Sequence, residues 1–320
     1  MISKMKELDP DVEVIIVSGD FVSHGYSVTL GEKDHYQLVK SIIREVMVEM
    51  IAKNFPRAII LPAIGNNDIQ YHYVAPQINV SAADYYEFLY DITFEQIQAN
   101  KNISHQGDIE IPIKKFGGYR YDHSESLSFI SLNTLYYNLR SPSNETEIKI
   151  LQMQWLAKQL DNAESQRKFV IFFHIYPGVS LIRGVTTFWE SKAVLLFNSI
   201  ILRNIDKISL ITGSHSHFAD IRVFSGSEFT EDQLLLNDSF DEDIPRYALL
   251  ITPAISPVYL NNPGFTLMKL INGVSTDITW HFMELWKVKD NTNVTFNTVD
   301  LYKDFGIKEF TPASVTDFMK

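Results

Sequence analysis

The chain has 320 residues, 45% of them hydrophobic, which is enough for one large α/β domain or two small ones. Its formal charge of −11 argues against a basic nucleic-acid-binding face, and no apolar run approaches the ~20 residues that span a bilayer. Cysteine is absent, which removes thiolate catalysis, disulfides and cysteine-type zinc sites.

In chain order, Met1 to Pro10 is polar and leads directly into a strand, with no signal peptide. Glu13 to Val17 reads as a buried strand that runs into Ser18-Gly19-Asp20. Tyr36 to Phe55 carries Leu38, Ile42, Val46 and Met50 at helical spacing. A second strand, Arg57 to Ile64, stops at Gly65-Asn66-Asn67-Asp68, and a tyrosine-rich helix is expected from Ala82 to Gln98. Leu127 to Leu132 is strand-like. Ile148 to Ala163 is an amphipathic helix around Leu151, Trp155 and Leu156.

The strand Lys168 to Phe173 ends on His174, and a helix from Phe188 to Asn204 follows. The strand Ile208 to Thr212 ends at Gly213-Ser214-His215-Ser216-His217. Beyond it the pattern turns to β, with strands at Ile221 to Phe224, Tyr247 to Ile251, Phe265 to Ile271 and Ile278 to Leu285. Ser225 to Asp243 is acidic and is expected to form a long surface loop. The alternation favours layered α/β with two sheets over a barrel.

Four polar clusters each follow immediately on an apolar strand: Asp20, Asn66, His174, and His215 with His217. In open α/β sheets, ligand sites lie beyond strand ends, where loops converge. Aspartate, asparagine and histidine offer oxygen and imidazole donors suited to zinc, manganese or iron. Each cluster alone also has a plain structural reading. Asp20 would cap a helix, Asn66 and Asn67 would form a turn, His174 would bond to backbone, and His24 would be a solvated loop histidine. The spacing of His215 and His217 matches a strand end, with both rings on one side.

The series SGDFVSHG, GNND, HIYPG and SHSH resembles the calcineurin-like metallophosphoesterases. His24, four residues after Asp20, the HIYPG block and Ser256 to Gly264 (SPVYLNNPG) resemble the acid sphingomyelinase-like phosphodiesterases in particular. The resemblance implies a four-layer α/β/β/α sandwich over residues 1–285, followed by the start of a helical C-terminal extension in 286–320. It implies two divalent ions, zinc first with manganese or iron as alternatives. Asp20 would bridge them, Asn66, His174 and His215 would complete one shell, and His217 would serve the other. A water between the metals would attack phosphorus, with His24 and Asn67 at the phosphate and the leaving oxygen.

The implied substrate is a phosphodiester, with a lipid headgroup or nucleotide, and lipid implies transient contact with a membrane surface. The implied setting is secreted, lysosomal or vacuolar. Five N-x-S/T sequons, at Asn79, Asn102, Asn144, Asn237 and Asn293, point the same way, whereas the lack of disulfides points to a reducing compartment.

The sequence departs from the family pattern in two places. The family's leading Asp-x-His block has no counterpart, so the chain reads as N-terminally incomplete, without the first strand. Only Asp20 and His217 then serve one metal, and fewer than two tightly held ions per chain are expected. Asn67 stands where the pattern more often has histidine, and GNND also resembles fungal endopolyphosphatases, in which a histidine follows nearby. His72 is the candidate here, as a substrate-binding residue. That likeness keeps phosphoanhydride hydrolysis open. The missing block keeps open a catalytically silent binding glycoprotein.

Overall fold

The computed structural model describes residues 1–24, 32–76, 82–98, 106–141, 146–180, 186–225, 246–288, 294–307 and 310–311. The expected loop at Ser225 to Asp243 lies outside them from residue 226 onward, as do all five sequon asparagines. The chain divides into two compact units. The first is Met1–Gln152 with Ile171–Tyr176, and the second is Met153–Val170 with Pro177–Lys320.

In the first unit, a short helix α1 (Ile2–Leu8) stands where the sequence reading had only a polar lead-in. Strand β1 (Val14–Val17) follows, then helix α2 (Glu32–Arg44), which continues as a π-helical segment, Glu45–Ala52. Strand β2 (Ile59–Pro62) pairs with β1 in parallel, from Val14 opposite Ile59 to Val17 opposite Pro62. Parallel pairing matters for function: it brings both strands out at the same end, so the loops beginning at Ser18 and Ala63 emerge side by side.

The buried face of the long helix is one residue out of step with the sequence reading. Val39, Ile43, Met47 and Ile51 are buried, whereas Met50 is 48% exposed. The cause is visible in the chain. Leu38-Val39, Ile42-Ile43, Val46-Met47 and Met50-Ile51 are four apolar pairs at four-residue spacing, so periodicity supports two adjacent stripes equally. Packing chose between them.

Helix α3 (Ala82–Tyr90) likewise continues as π-helix, Asp91–Gln98, and Gln98 Nε2 donates to the buried Ile60 carbonyl at 3.0 Å. Then come β3 (Gly107–Asp108), α4 (Glu110–Phe116), β4 (Tyr119–Asp122) and β5 (Leu127–Leu132). Gly117 ends α4 with a φ of 78°, a backbone that L side chains adopt at a cost. Helix α5 (Thr146–Asp161) and strand β6 (Lys168–Phe173) complete the set, each divided between the units. Strand order on this side is β3-β4-β5-β6. Side chains of β4 and β5 reach the β1–β2 pair, since Tyr119 Oη and Ser131 Oγ both donate to the Pro62 carbonyl, at 2.8 and 3.4 Å. The strand at Lys168 to Phe173 was legible from its unbroken apolar run, whereas β4, YRYD, alternates burial and gave no comparable signal.

The second unit contains β7 (Val179–Ser180), β8 (Thr186–Thr187), α6 (Ser191–Arg203), β9 (Ile208–Gly213), β10 (Asp220–Ser225) and β11 (Arg246–Ile251). Strand β11 runs parallel to β9 and antiparallel to β10. Tyr247 on β11 is buried, stacks on Phe224 at 5.3 Å and donates to Asn198 of α6 at 2.7 Å. A separate antiparallel meander follows: β12 (Gly264–Ile271), β13 (Val274–Met283) and β14 (Phe296–Asp300).

Strand β14 corrects an expectation. The segment read as the start of a helical extension adds a strand to β13, Met283 opposite Phe296, before a single helical turn α7 (Leu301–Asp304). Among the described residues no helix is long and apolar enough to cross a membrane.

Candidate metal centre

The centre is built in the first unit, on the C-terminal ends of β1, β2 and β6. Gly19 has a φ of 86° and passes so close to Gly65 that a Cβ on it would lie 2.6 Å from the Gly65 nitrogen. A Cβ on Gly65 would in turn fall on Asp20, against both its backbone nitrogen and Oδ1. Only two glycines let these loops meet. Gly65→Ala should therefore disturb Asp20 directly, and metal affinity measured by calorimetry is expected to fall by about tenfold or more.

Asp20 itself has a φ of 57°, a left-handed backbone that costs a non-glycine residue about 1 kcal/mol or more. Asp68 holds it there. This carboxylate is fully buried and accepts three backbone N–H bonds: from Asp20 at 2.7 Å and Gly65 at 2.9 Å on Oδ2, and from Val22 at 3.2 Å on Oδ1. Burial, and then the charge of Asp20, push its pKa up to about 7. A divalent cation on Asp20 would oppose that rise.

Three candidate ligand atoms converge at the surface of this frame. His174 Nδ1 lies 2.7 Å from the Ser18 carbonyl, so Nδ1 carries the proton and Nε2 of the neutral ring is a lone pair. That nitrogen faces Asn66 Oδ1 at 3.1 Å and Asp20 Oδ2 at 3.2 Å. The orientation of the Asn66 amide follows from its other end, where Nδ2 is 2.9 Å from His72 Nε2 and donates to Asn67 Oδ1 at 3.3 Å. Two oxygen acceptors facing a nitrogen lone pair are satisfied by a cation. In a tetrahedral zinc shell with bonds of ~2.0–2.1 Å, ligand atoms stand about 3.3 Å apart, close to the spacing here. A proton on Nε2 serves the same purpose when no cation is bound. Burial lowers the His174 pKa, but Asp20, the Ser18 carbonyl and Asp68 outweigh it, and the net shift is upward.

Asn67 and His72 both hydrogen-bond to candidate ligands. Asn67 donates twice to Asp20, from its backbone N–H to Oδ1 and from Nδ2 to Oδ2, both at 2.9 Å. His72 holds the Asn66 amide, and its pKa is lowered, first by burial and then by its neighbours His24 and Arg140. His24 is exposed, with its ring edge-on to His72 at 5.7 Å.

The two remaining candidates belong to the second unit. Both follow the end of β9, but neither continues it: His215 has a φ of 73° and His217 a φ of 68°. This replaces the expected strand-end alternation with two left-handed residues bracketing Ser216, whose N–H donates to the Ser214 carbonyl at 2.9 Å. His215 lies edge-on to Phe188 at 5.0 Å. His217 is buried against Tyr259 at 4.8 Å, in the Ser256 to Gly264 segment. Of the six described non-glycine residues with positive φ, three are Asp20, His215 and His217. Such backbone conformations concentrate at functional sites.

The family model for calcineurin-like phosphoesterases matches residues 2–219, which include Asp20, Asn66, His174, His215 and His217. The chain belongs to the calcineurin-like phosphoesterase family. Among curated relatives of this chain, a sphingomyelinase phosphodiesterase D from Dictyostelium discoideum is 26% identical over 317 residues, 94% of this chain and 64% of that protein. Acid sphingomyelinase-like phosphodiesterase 3b from Homo sapiens is 24% identical over 273 residues, 85% of this chain and 53% of that protein. The chain thus spans 64% and 53% of these relatives' lengths. Among solved structures, PhoD is similar in fold, with a TM-score of 0.52 and 11% identity over 89% of this chain and 63% of that one. The mixed α/β metallophosphoesterase fold read from the motifs is therefore the fold of this chain.

Asp68 is the residue that sequence reasoning passed over. It stands last in the GNND block, and nothing in that string shows that its carboxylate would bind two loops 46 to 48 residues apart in sequence.

Proposed function

We propose that this phosphoesterase hydrolyses phosphodiester bonds with the help of divalent metal ions, zinc before manganese or iron. The observation that carries the reading is the convergence of Asp20 Oδ2, Asn66 Oδ1 and His174 Nε2, with separations of 3.1 and 3.2 Å about the imidazole nitrogen. These three residues hold one ion, and Asn67 and His72 fix the orientation of the carboxylate and amide. His215 and His217 are metal ligands on the strength of the H-x-H motif and of their own strained backbone. When bound, the ions activate water and neutralise charge on the phosphoryl oxygens.

The chain's own residues do the rest. His24 delivers a proton to the departing oxygen as its bond to phosphorus breaks. Relatives named for sphingomyelin hydrolysis support a lipid or nucleotide phosphodiester, with lipid reached by transient contact with a membrane surface. A secretory, lysosomal or vacuolar setting belongs to the same proposal and rests on the five sequons.

The test is turnover of bis(p-nitrophenyl) phosphate and of sphingomyelin by purified chain loaded with zinc, manganese or iron, with and without chelator. Chelator-sensitive hydrolysis is expected. A chain that binds metal but turns over neither substrate would overturn the reading and favour a binding protein. Within active protein, His24→Ala should cost about a hundredfold or more on a substrate with a poor leaving group. The cost should be much smaller with p-nitrophenolate, which leaves without a proton. Equal losses on both would remove His24 from the role of acid.

A further inference from the structure

Strand β5 also ends on polar residues, Asn133 and Thr134, neither of which is a candidate ligand. Both are buried, and neighbouring helices hold Asn133 from several sides. Its backbone pairs with the amide of the buried Gln152 on α5: the N–H donates to Oε1 at 2.9 Å, and the carbonyl accepts from Nε2 at 3.0 Å. Its Nδ2 donates to the Phe116 carbonyl of α4 at 3.1 Å and to the Tyr86 hydroxyl of α3 at 3.0 Å. Its Oδ1 accepts from the Leu135 N–H at 3.3 Å and caps the 3₁₀ turn Thr134–Tyr137. Thr134 therefore opens a turn whose cap is fixed by three helices.

The use of that fixed position is visible at the next strand. Strand β6 neighbours β5 in the sheet and stops at Phe173, so His174 and Ile175 lie beyond its ladder. A buried amide past a strand end needs a partner from elsewhere. The Ile175 N–H, fully buried, donates to Thr134 Oγ1 at 3.1 Å. Threonine is branched at Cβ and stiff at χ1, so this acceptor is held in place. The bond anchors the chain one residue after His174, whose ring is turned by the Ser18 carbonyl at Nδ1. With the ring held at Nδ1 and the main chain at Ile175, Nε2 faces Asp20 Oδ2 and Asn66 Oδ1.

We infer that Thr134 is a positioning residue for the metal centre, holding the Ile175 amide so that the His174 imidazole stays aimed at the ion. This rests on the reading that Asp20, Asn66 and His174 hold metal. Metal-ligating histidines depend on groups that fix the direction of the ring. Thr134 extends that support from the ring to the main chain beside it.

The experiment compares wild type, Thr134→Val and Thr134→Ser. Valine keeps the shape of threonine without the acceptor, and serine keeps the acceptor. Zinc titrated into metal-free protein by calorimetry should bind about tenfold more weakly to Thr134→Val. Thr134→Ser should bind it nearly as tightly as wild type. Tyr247→Phe is the control for lost stability alone, since it removes a buried hydrogen bond to Asn198 in the second unit. Its zinc affinity should be unchanged. In metal-free protein, at a pH where the ring is neutral, nitrogen NMR should find the His174 proton on Nδ1 in wild type and Thr134→Ser. Thr134→Val should show a mixture of tautomers.

A zinc affinity of Thr134→Val equal to wild type would overturn the inference. So would a loss that Tyr247→Phe shares or that serine does not recover. Wild type offers a check that needs no variant to fold: the Ile175 amide should exchange with deuterium as slowly as the amides of β6. Exchange as fast as in an exposed loop would overturn the inference. A wild-type chain that binds no zinc would instead overturn the proposed function, while the His174 tautomer would still decide whether Thr134 holds the ring.

Discussion

Asp20→Asn is expected to abolish turnover and metal binding together. The substitution keeps the shape of the side chain but removes the charge that His174 Nε2 faces. It also sets an amide nitrogen against the donors of Asn67, which now bond to both carboxylate oxygens. Even outer partners of metal ligands cost 10–100-fold in affinity when changed, so a ligand itself should cost at least about a hundredfold. The check is metal content by mass spectrometry after gel filtration, alongside turnover with saturating metal. Loss of turnover with metal content unchanged would assign Asp20 to the chemistry and not to the shell. Unchanged turnover would remove it from the site altogether.

Asp68→Ala is expected to be the most damaging change that touches no ligand atom. It strands three N–H groups, of Asp20, Val22 and Gly65, in the interior. Each unsatisfied buried donor costs about 1–3 kcal/mol, so the variant should lose about 3 kcal/mol or more of stability. Asp68→Asn offers a graded control. With its carbonyl in place of Oδ2 it keeps the bonds from Asp20 and Gly65, and turns its amide nitrogen toward the Val22 N–H. Its loss should be about 1–2 kcal/mol. Urea unfolding of metal-free protein measures both. If the two variants unfold at the same midpoint, the three-bond account of Asp68 fails. Because Asp68 holds Asp20 in its left-handed conformation, metal affinity should fall in the same order as stability.

These two positions show how the site divides its labour. In the proposed site Asp20, Asn66 and His174 would supply the ligand atoms, while Asp68, Asn67 and His72 hold their backbone and side chains in place through hydrogen bonds. Pre-aimed ligands lose little freedom when an ion arrives, which is where affinity is gained.

Much of this protein is determined by the chain alone. Short runs such as FVIFF and ISLIT, too brief for a helix and each followed at once by a polar cluster, read as buried strands. That local coincidence, together with the residue types suited to metal, is enough to single out Asp20, Asn66 and His174 as candidates and to place the chain among the calcineurin-like phosphoesterases. Local signals work there because strand burial and loop polarity are set within a few residues.

Tertiary structure decided what depends on distant partners. The choice between two apolar stripes on α2 was made by packing, since the pattern is degenerate. The alternating segment YRYD became β4 because β5 stood ready to pair with it, and Phe296–Asp300 became a strand because β13 offered an edge. The left-handed turns at His215 and His217 override the alternation their spacing suggested. Asp68 took on its importance through Asp20 and Val22, 48 and 46 positions away in the chain. Neither contact leaves a mark on the residues beside it in the chain, because a hydrogen bond across such a distance forms only once folding has brought its ends together.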